Sequence, residues 1–487
     1  MATNPYDVLI VGAGVVGNAI ARELSRYRLK VGVLEKELDV GMGTSSRNSG
    51  VIHSGIHYKP GTLRAKLNVQ GNELMKGLCR DLKVKIQYIG KLTVAQDQVD
   101  IETLEALKAQ GDANGVPGLE IIDVERMQQI QPGVGGIRAL YSPTTGIICP
   151  YGLTIALADN ARENGADFHL GSEVTGILKT EKGFQVKTAG GNLFESKVLI
   201  NAAGLYSDAI CKMVGLTEYA IYPCRGEYLI LDKRLNGSLS TLIYPAPRKG
   251  GAGLGIHLTN TVDGNILIGP SNEYVDQADD YACTVDIIDQ LKKEGRALLP
   301  AISTSDFIRG FSGLRPKQNP PAIKGFKEFV IESRKDISGF INLVGIESPG
   351  LTCSPAIAIM VRDMVGEKLQ LVEKKQFVSE RSGFPGSFHD LPEEEKADLA
   401  AQDPDYGEIV CRCEQITKRE ILDAIENPLG SRTIAGIKYR SRAMMGRCQG
   451  GFCMPRIVQI LERDFGYRPE DYRLYSPDSY LFTGHVR

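Results

Sequence analysis

The sequence predicts a mixed α/β chain in three parts: a nucleotide-binding layer of βαβ units, an antiparallel sheet inserted into it, and a small C-terminal domain built around cysteines. Three observations predict this. Gly12-Ala-Gly14-Val-Val-Gly17 lies between a short apolar run and a helical pattern, and Glu35 closes the next apolar run. Residues 221–330 alternate apolar and polar positions, as in Gly226-Glu-Tyr-Leu-Ile-Leu231. Cys411-Arg-Cys413 and Cys448-Gln-Gly-Gly-Phe-Cys453 sit close together near the end of the chain.

In order along the chain, residues 7–11 form a buried parallel strand, 18–27 a helix and 31–34 the next strand. Helices at 63–82 and 101–111 alternate with short strands up to about 145. A helix follows at 150–165, then a strand pair near 174–200 that leads into Asn201-Ala-Ala-Gly204. Residues 340–344 are a strand, 345–350 a glycine turn, and a helix runs from there to about 365. Residues 372–408 are rich in Glu, Asp, Ser and Pro with little period, and read as a linker to a separate domain at 409–487.

At 487 residues the chain has room for two or three domains. Lys and Arg number 57 against 59 Asp and Glu, a net charge of −2, which gives no global reason for nucleic acid or an acidic membrane as partner. The first residues lack the basic stretch of a secretory signal, and no apolar run reaches the roughly 18–20 residues of a membrane helix. A cytoplasmic protein is expected. Ten cysteines are too few for a disulfide scaffold. Six of them (Cys79, Cys149, Cys211, Cys224, Cys283 and Cys353) are scattered and read as small buried thiols.

The glycines have distinct roles in a dinucleotide site. Gly12 allows a tight turn, Gly14 lets the backbone approach a pyrophosphate, and Gly17 lets helix and strand pack closely. The helix N-terminus offers free N–H groups to the phosphates. Glu35 can accept from both ribose hydroxyls and repels a 2′-phosphate, which argues against NADP. The motif alone does not separate FAD from NAD.

Asn201-Ala-Ala-Gly204-Leu-Tyr-Ser-Asp208 and Gly345-Ile-Glu-Ser-Pro-Gly350-Leu-Thr resemble the later flavin-contacting segments of the glutathione-reductase-like FAD enzymes. With the N-terminal motif they resemble the D-amino-acid-oxidase superfamily. Asn48-Ser-Gly-Val-Ile-His53-Ser-Gly-Ile-His57 and Leu254-Gly-Ile-His257 are most similar to L-2-hydroxyglutarate dehydrogenases and oxidases. Gly61-Thr-Leu-Arg64-Ala-Lys-Leu-Asn-Val resembles anaerobic glycerol-3-phosphate dehydrogenases instead. The resemblance covers residues 5 to about 370. It implies FAD held by Gly12, Gly14, Gly17, Glu35, Ser49, Gly50, Val174, Ala203, Gly204, Gly345, Gly350, Leu351 and Thr352. It divides residues 1–371 into FAD-binding segments (about 1–75, 146–220 and 331–371) and substrate-binding segments (about 76–145 and 221–330). A helix starting near Thr352 would point its positive end at the flavin N1/C2=O edge.

Oxidising a secondary alcohol by hydride transfer to flavin N5 needs a base for the hydroxyl proton, and histidine suits that work. His257 and His53 are the candidates, with His57 a further possibility beside the substrate. His53 is also a candidate for covalent attachment of FAD. His169, His389 and His485 read as structural. An acidic substrate needs fixed cations, and Arg225 and Arg315 can bind a carboxylate bidentately. Lys59 and Lys317 can supplement them. Tyr228 and Tyr244 can donate to the substrate or simply pack.

Cys411, Cys413, Cys448 and Cys453 provide the four thiolates that a [2Fe–2S] cluster needs. C-x-C fits the paired knuckles of structural zinc poorly, although zinc or free redox thiols remain alternatives. The pattern resembles the bacterioferritin-associated-ferredoxin (BFD) type of [2Fe–2S] domain, including the basic stretch Arg440-Ser-Arg442-Ala-Met-Met-Gly-Arg447. Those arginines are candidates for contacts with the cluster, with an acidic partner, or with solvent alone.

The resulting expectation is an FAD-dependent dehydrogenase of a small 2-hydroxy acid, foremost L-2-hydroxyglutarate. Electrons then pass through the cluster to a partner subunit or a quinone-linked chain, with membrane association only through partners. The alternative is the catalytic subunit of an anaerobic sn-glycerol-3-phosphate dehydrogenase. Amine oxidation on the same fold and a non-catalytic electron relay are the remaining readings.

Overall fold

The structure is a computed structural model that describes residues 5–247, 255–323, 325, 327–382 and 387–482. Leu254 and His485 lie outside the described residues.

Tyr6–Val11 is apolar at nearly every position and is buried on both faces, as a central parallel strand should be. It pairs in parallel with Val31–Leu34 on one side and Leu193–Asn201 on the other. Asp167–His169 extends the sheet beyond Val31–Leu34. Beyond Leu193–Asn201 lie the antiparallel strands Gly183–Thr188 and Val174–Thr180, with Phe340–Val344 and Val330–Ser333 completing eight strands. Three strands therefore stand where the sequence predicts a pair. Helices Val15–Leu24, Pro150–Glu163 and Gly350–Gly366 share one core with this sheet, through Ile10, Ile20, Ile155 and Val361.

A second sheet has nine strands. Its longest pair is Tyr222–Leu231 with Phe307–Lys317, antiparallel from Tyr222 opposite Lys317 to Leu231 opposite Phe307. The sheet departs from the sequence reading at two points. Leu242–Pro245 runs parallel to Lys91–Ala95, so the sheet is not purely antiparallel. The helix Val285–Leu298 inserts Leu291 into the core formed by Leu229, Leu231 and Ile268. This helix places Ile287, Ile288 and Leu291 at helical spacing, a signal the surrounding strand pattern masked.

The C-terminal domain has its own core, built from Val410, Ile421, Ile437, Ile457, Leu461 and Tyr472. Thr417 caps the helix Lys418–Ile425 with Glu420 in a capping box. The preceding stretch contains the helix Glu393–Gln402, which buries no residue. Glu393, Glu394 and Glu395 in its first turn complement the helix dipole, so it carries no apolar stripe to read. The stretch is also tied down: the Val378 carbonyl accepts from Asn160 and Asn164, and Phe377 lies 4.4 Å from the Arg26 guanidinium. Among the described residues no helix is long and apolar enough to cross a membrane.

Candidate functional site

One cavity of about 1180 Å³ runs between the two sheets. At one end it is lined by Gly12, Gly14, Glu35, Ser172, Glu173 and Val174, and at the other by His53, Tyr228, Tyr244, His257 and Arg315.

The nucleotide end is built as the glycine spacing predicts. Gly12 has φ +105°, and a Cβ there would lie 2.5 Å from the Ala202 carbonyl oxygen. A Cβ on Gly17 would lie 2.0 Å from the Gly12 carbonyl oxygen, so Gly17 acts by close packing, behind the cavity wall. Glu35 accepts from the Ala13 N–H at 2.7 Å and the Glu37 N–H at 3.0 Å. Burial pushes its carboxyl upward while those N–H groups oppose the shift. Ser45, unremarked in the sequence, accepts from Val15 N–H at 2.9 Å through Oγ.

The segments read as flavin-contacting divide into two groups. Ser49, Ala203, Gly204, Gly350 and Leu351 line the cavity. Gly50, Gly345 and Thr352 do not; they stand behind its wall. The Gly50 backbone packs on Ile148, and Gly345 on the Gln318 side chain. Thr352 Oγ1 accepts from the His53 N–H at 3.0 Å, tying the late helix to the histidine loop. That helix starts at Gly350, two residues before the position read from sequence, and its first turn opens on the cavity. Arg64, within the Gly61-Thr-Leu-Arg64 motif, donates to the Ser348 carbonyl at 3.1 Å and so holds the same loop.

At the substrate end, His53 and His257 both face the cavity. Burial first, then the positive charge of Lys91, lowers His53 to about 3. Burial likewise lowers His257 to about 4. His257 Nδ1 is 2.9 Å from the Gly255 carbonyl oxygen. A carbonyl only accepts, so Nδ1 carries the proton and Nε2 keeps a lone pair. Arg315 donates to Asn272 Oδ1 at 3.1 Å and the Ser271 carbonyl at 2.9 Å, both neutral groups. Lys317, Asn272, Arg47 and Glu347 join this lining, and the sequence reading missed the last three in that place.

Three expected substrate contacts are corrected. Arg225 lies on the other face of the sheet. Gly226 and Tyr228 face the cavity, so strand alternation turns Arg225 away. Its guanidinium meets Glu273 at 2.7 Å, Asp280 at 2.8 Å and Glu227 at 3.5 Å. Lys59 is exposed on a loop outside the cavity lining. His57 stands behind the wall, its Nε2 2.9 Å from Lys91 Nζ. Lys91 is buried with 1% exposure and escaped the sequence reading.

Of the six scattered cysteines, Cys79, Cys211, Cys224 and Cys353 are buried, Cys149 is half-buried, and Cys283 is exposed against expectation. His169 is structural, 2.7 Å from the Tyr6 hydroxyl.

In the tail, Cys411 shares a hydrogen bond with Cys453, and Cys413 with Cys448. Charge interactions also link Cys411 to Cys413 and Cys448, and Cys453 to Cys448, so the four thiols lie together in one cluster. The surrounding backbone suits an anionic group. N–H groups of Glu414, Met444 and Cys413 reach Cys411, and those of Phe452 and Gly450 reach Cys448. Met444 and Gln449 have positive φ, which folds the loops back around the sulfurs. The Cys453 hydrogen bond, then these N–H groups, lowers Cys411 to about 6 against the effect of burial.

The basic stretch is spent within the chain. Arg440 forms a two-point pair with buried Asp39 of the nucleotide layer. Arg442 donates to the Tyr151 hydroxyl at 2.8 Å and pairs with Asp263 and Glu414. Arg447 pairs with Asp232 at 2.9 Å. Tyr439 stacks on Tyr151 with ring centroids 5.0 Å apart. The tail is docked on the body by these contacts.

Residues 7–364 match the FAD dependent oxidoreductase (DAO) family, and residues 409–463 match the BFD-like [2Fe-2S] binding domain. A glycerol 3-phosphate dehydrogenase from Caloramator mitchellensis is 41% identical over 99% of each chain. The human mitochondrial L-2-hydroxyglutarate dehydrogenase is 32% identical over 76% of this chain and 90% of its own. Among solved structures, an FAD-bound L-α-glycerophosphate oxidase from Mycoplasma pneumoniae has a TM-score of 0.72 at 30% identity, covering 78% of this chain and 98% of its own. A Geobacillus kaustophilus glycine oxidase shares the fold, with a TM-score of 0.66 at 22% identity over 79% of this chain and all of its own.

Proposed function

The chain belongs to the DAO family of FAD-dependent oxidoreductases, binds FAD and carries a BFD-like [2Fe–2S] domain, and on that premise we propose that it oxidises sn-glycerol 3-phosphate. The observation that carries this reading is the end-to-end similarity to the Caloramator glycerol 3-phosphate dehydrogenase, cysteine domain included. The reading replaces L-2-hydroxyglutarate as the foremost substrate. That relative shares less identity and covers only about three quarters of this chain.

The cavity supports the same reading. Arg315, with Lys317 and Asn272 beside it, forms a cationic corner for a phosphate. The Arg315 hydrogen bonds go to neutral groups, and the nearby Glu347 carboxyl, whose charge Arg315 and Lys317 favour, pairs with Arg64 at 3.7 Å. A guanidinium fork suits phosphate oxygens. His257, through Nε2, or His53 then takes the proton of the secondary hydroxyl. Both are held neutral and so are ready to accept it. FAD, when bound, accepts the hydride from the alcohol carbon, and the cluster offers a one-electron exit. Cys411, Cys413, Cys448 and Cys453 are its proposed ligands, and the inward N–H groups would stabilise its negative charge.

The test is anaerobic mixing of the holoprotein with sn-glycerol 3-phosphate and, separately, L-2-hydroxyglutarate, following the visible flavin absorption. Bleaching by the phosphate is expected. Bleaching by the hydroxy acid alone would overturn the assignment and make Arg315 a carboxylate ligand. No bleaching by either would refute an alcohol substrate of this kind.

A further inference from the structure

Lys91 is a buried cation that nothing in the proposed reaction uses. Its strand, Lys91–Ala95, sits between Leu242–Pro245 and Arg138–Ser142, with Lys91 opposite Leu242 and Ser142. Leu92 and Val94 point into the sheet's outer core, so Lys91 points to the cavity side. Its Nζ is 2.9 Å from His57 Nε2 and 4.9 Å from the centre of the Tyr244 ring. Tyr244 in turn stacks on His257 with centroids 3.8 Å apart. The titratable groups around it and the two rings are His57 and His53 from the loop after Val51–Ile52, Tyr244 and His257 from other strands of the sheet, and Arg315 beyond His257. Ser142 is its neutral neighbour on the remaining strand. Among the described residues no carboxylate is paired with Lys91, which is unusual for a buried lysine.

We propose that Lys91 is a positioning residue of the reaction: held on His57 behind the cavity wall, its ammonium group adds to burial a fixed positive charge that disfavours a proton on His53 and His257. A charge so placed repels a proton from either ring without touching the substrate. Burial lowers Lys91 to about 7. The ammonium is therefore present on the acid side of neutrality, where it adds to the burial that already opposes a proton on the histidines. His57 receives the ammonium through Nε2, which fixes its own proton on Nδ1.

This inference rests on the histidine roles proposed above but not on the identity of the alcohol. The test is the pH dependence of flavin reduction under saturating sn-glycerol 3-phosphate, or L-2-hydroxyglutarate if that is the alcohol that bleaches the wild-type flavin. In Lys91→Met the acid limb should move to higher pH by about one unit, a tenfold loss of rate at a pH on the limb. Lys91→Arg keeps the charge and should restore the wild-type limb. His57→Leu removes the acceptor, favours the neutral amine, and should move the limb the same way as Lys91→Met. It also serves as the second route if the methionine variant does not fold. Unmoved limbs in the variants that load FAD with a normal spectrum would overturn the proposal. A Lys91→Arg limb displaced as far as that of Lys91→Met would overturn it too, because the charge would then not be what matters. Wild-type flavin that neither alcohol bleaches refutes the proposed function and, with it, any role for Lys91 in alcohol oxidation.

Discussion

Arg225 and Arg315 lie on adjacent strands of one sheet, nearly opposite each other, yet they do different things. Arg225 pairs with three carboxylates on the outer face. Arg315 reaches neutral groups on the inner face and lines the cavity. The same contrast holds across the sheet. The outer face is an apolar core with neutralised charges, and the inner face gathers Lys91, His53, His257 and Arg315 with few acids among them. A cation kept short of a carboxylate is available to an anionic substrate or to tune a neighbouring ring, whereas a cation held by three is structural.

The largest expected effect is on the inner face. His257→Ala and His53→Ala should each slow flavin reduction by sn-glycerol 3-phosphate, and the ring acting as base should cost about 10²- to 10⁴-fold. Stopped-flow absorption measures this, and intact rates in both variants would remove the histidines from the mechanism. Next is the outer face. Arg225→Met leaves the fully buried Glu227 without its cation, held only by the Thr284 N–H and hydroxyl, and should destabilise the fold by about 3–5 kcal/mol, read by chemical denaturation, while substrate-driven flavin reduction is retained.

Acid should separate the faces by a smaller, graded effect. His53 and His257 are lowered to about 3 and about 4 in the fold, against about 6.5 unfolded. The unfolded chain therefore binds more protons below pH 6.5, and stability falls as pH drops from there toward about 4. Each histidine contributes at most about 1.4 kcal/mol per pH unit within that window. Thermal melts between pH 7.5 and 5 should show the decline, and His53→Ala should flatten it. The smallest effect lies on the tail contact. Arg447 is exposed in its pair with Asp232, so Arg447→Ala should change stability by no more than about 1 kcal/mol.

The nucleotide layer was legible because its signals are local. Gly12, Gly14, Gly17 and Glu35 follow one another in a strand–turn–helix order that only close backbone approach explains. His53, His257 and Arg315 were legible as residue types beside glycine turns. The side each residue faces was less so. Strand alternation, counted from Tyr228, already turns Arg225 away from the tyrosine's face, but which face meets the cavity depends on the packing of both sheets. Lys91 looked like one more charge at a strand start, and its burial comes from strands far apart in sequence. The Arg440-to-Arg447 stretch announced its charge but not its partners, because Asp39, Asp232 and Asp263 lie far from it along the chain.

The most direct measurement is anaerobic flavin reduction by sn-glycerol 3-phosphate in Arg315→Met and Arg225→Met, side by side. Arg315→Met should load FAD normally yet need at least about a hundredfold more substrate to bleach, as loss of a charge-assisted anion contact implies. Arg225→Met should bleach at wild-type concentrations. Unchanged substrate dependence in Arg315→Met, or a raised substrate requirement in Arg225→Met protein that loads FAD with a normal spectrum, would contradict the assignment of the inner face as the substrate site.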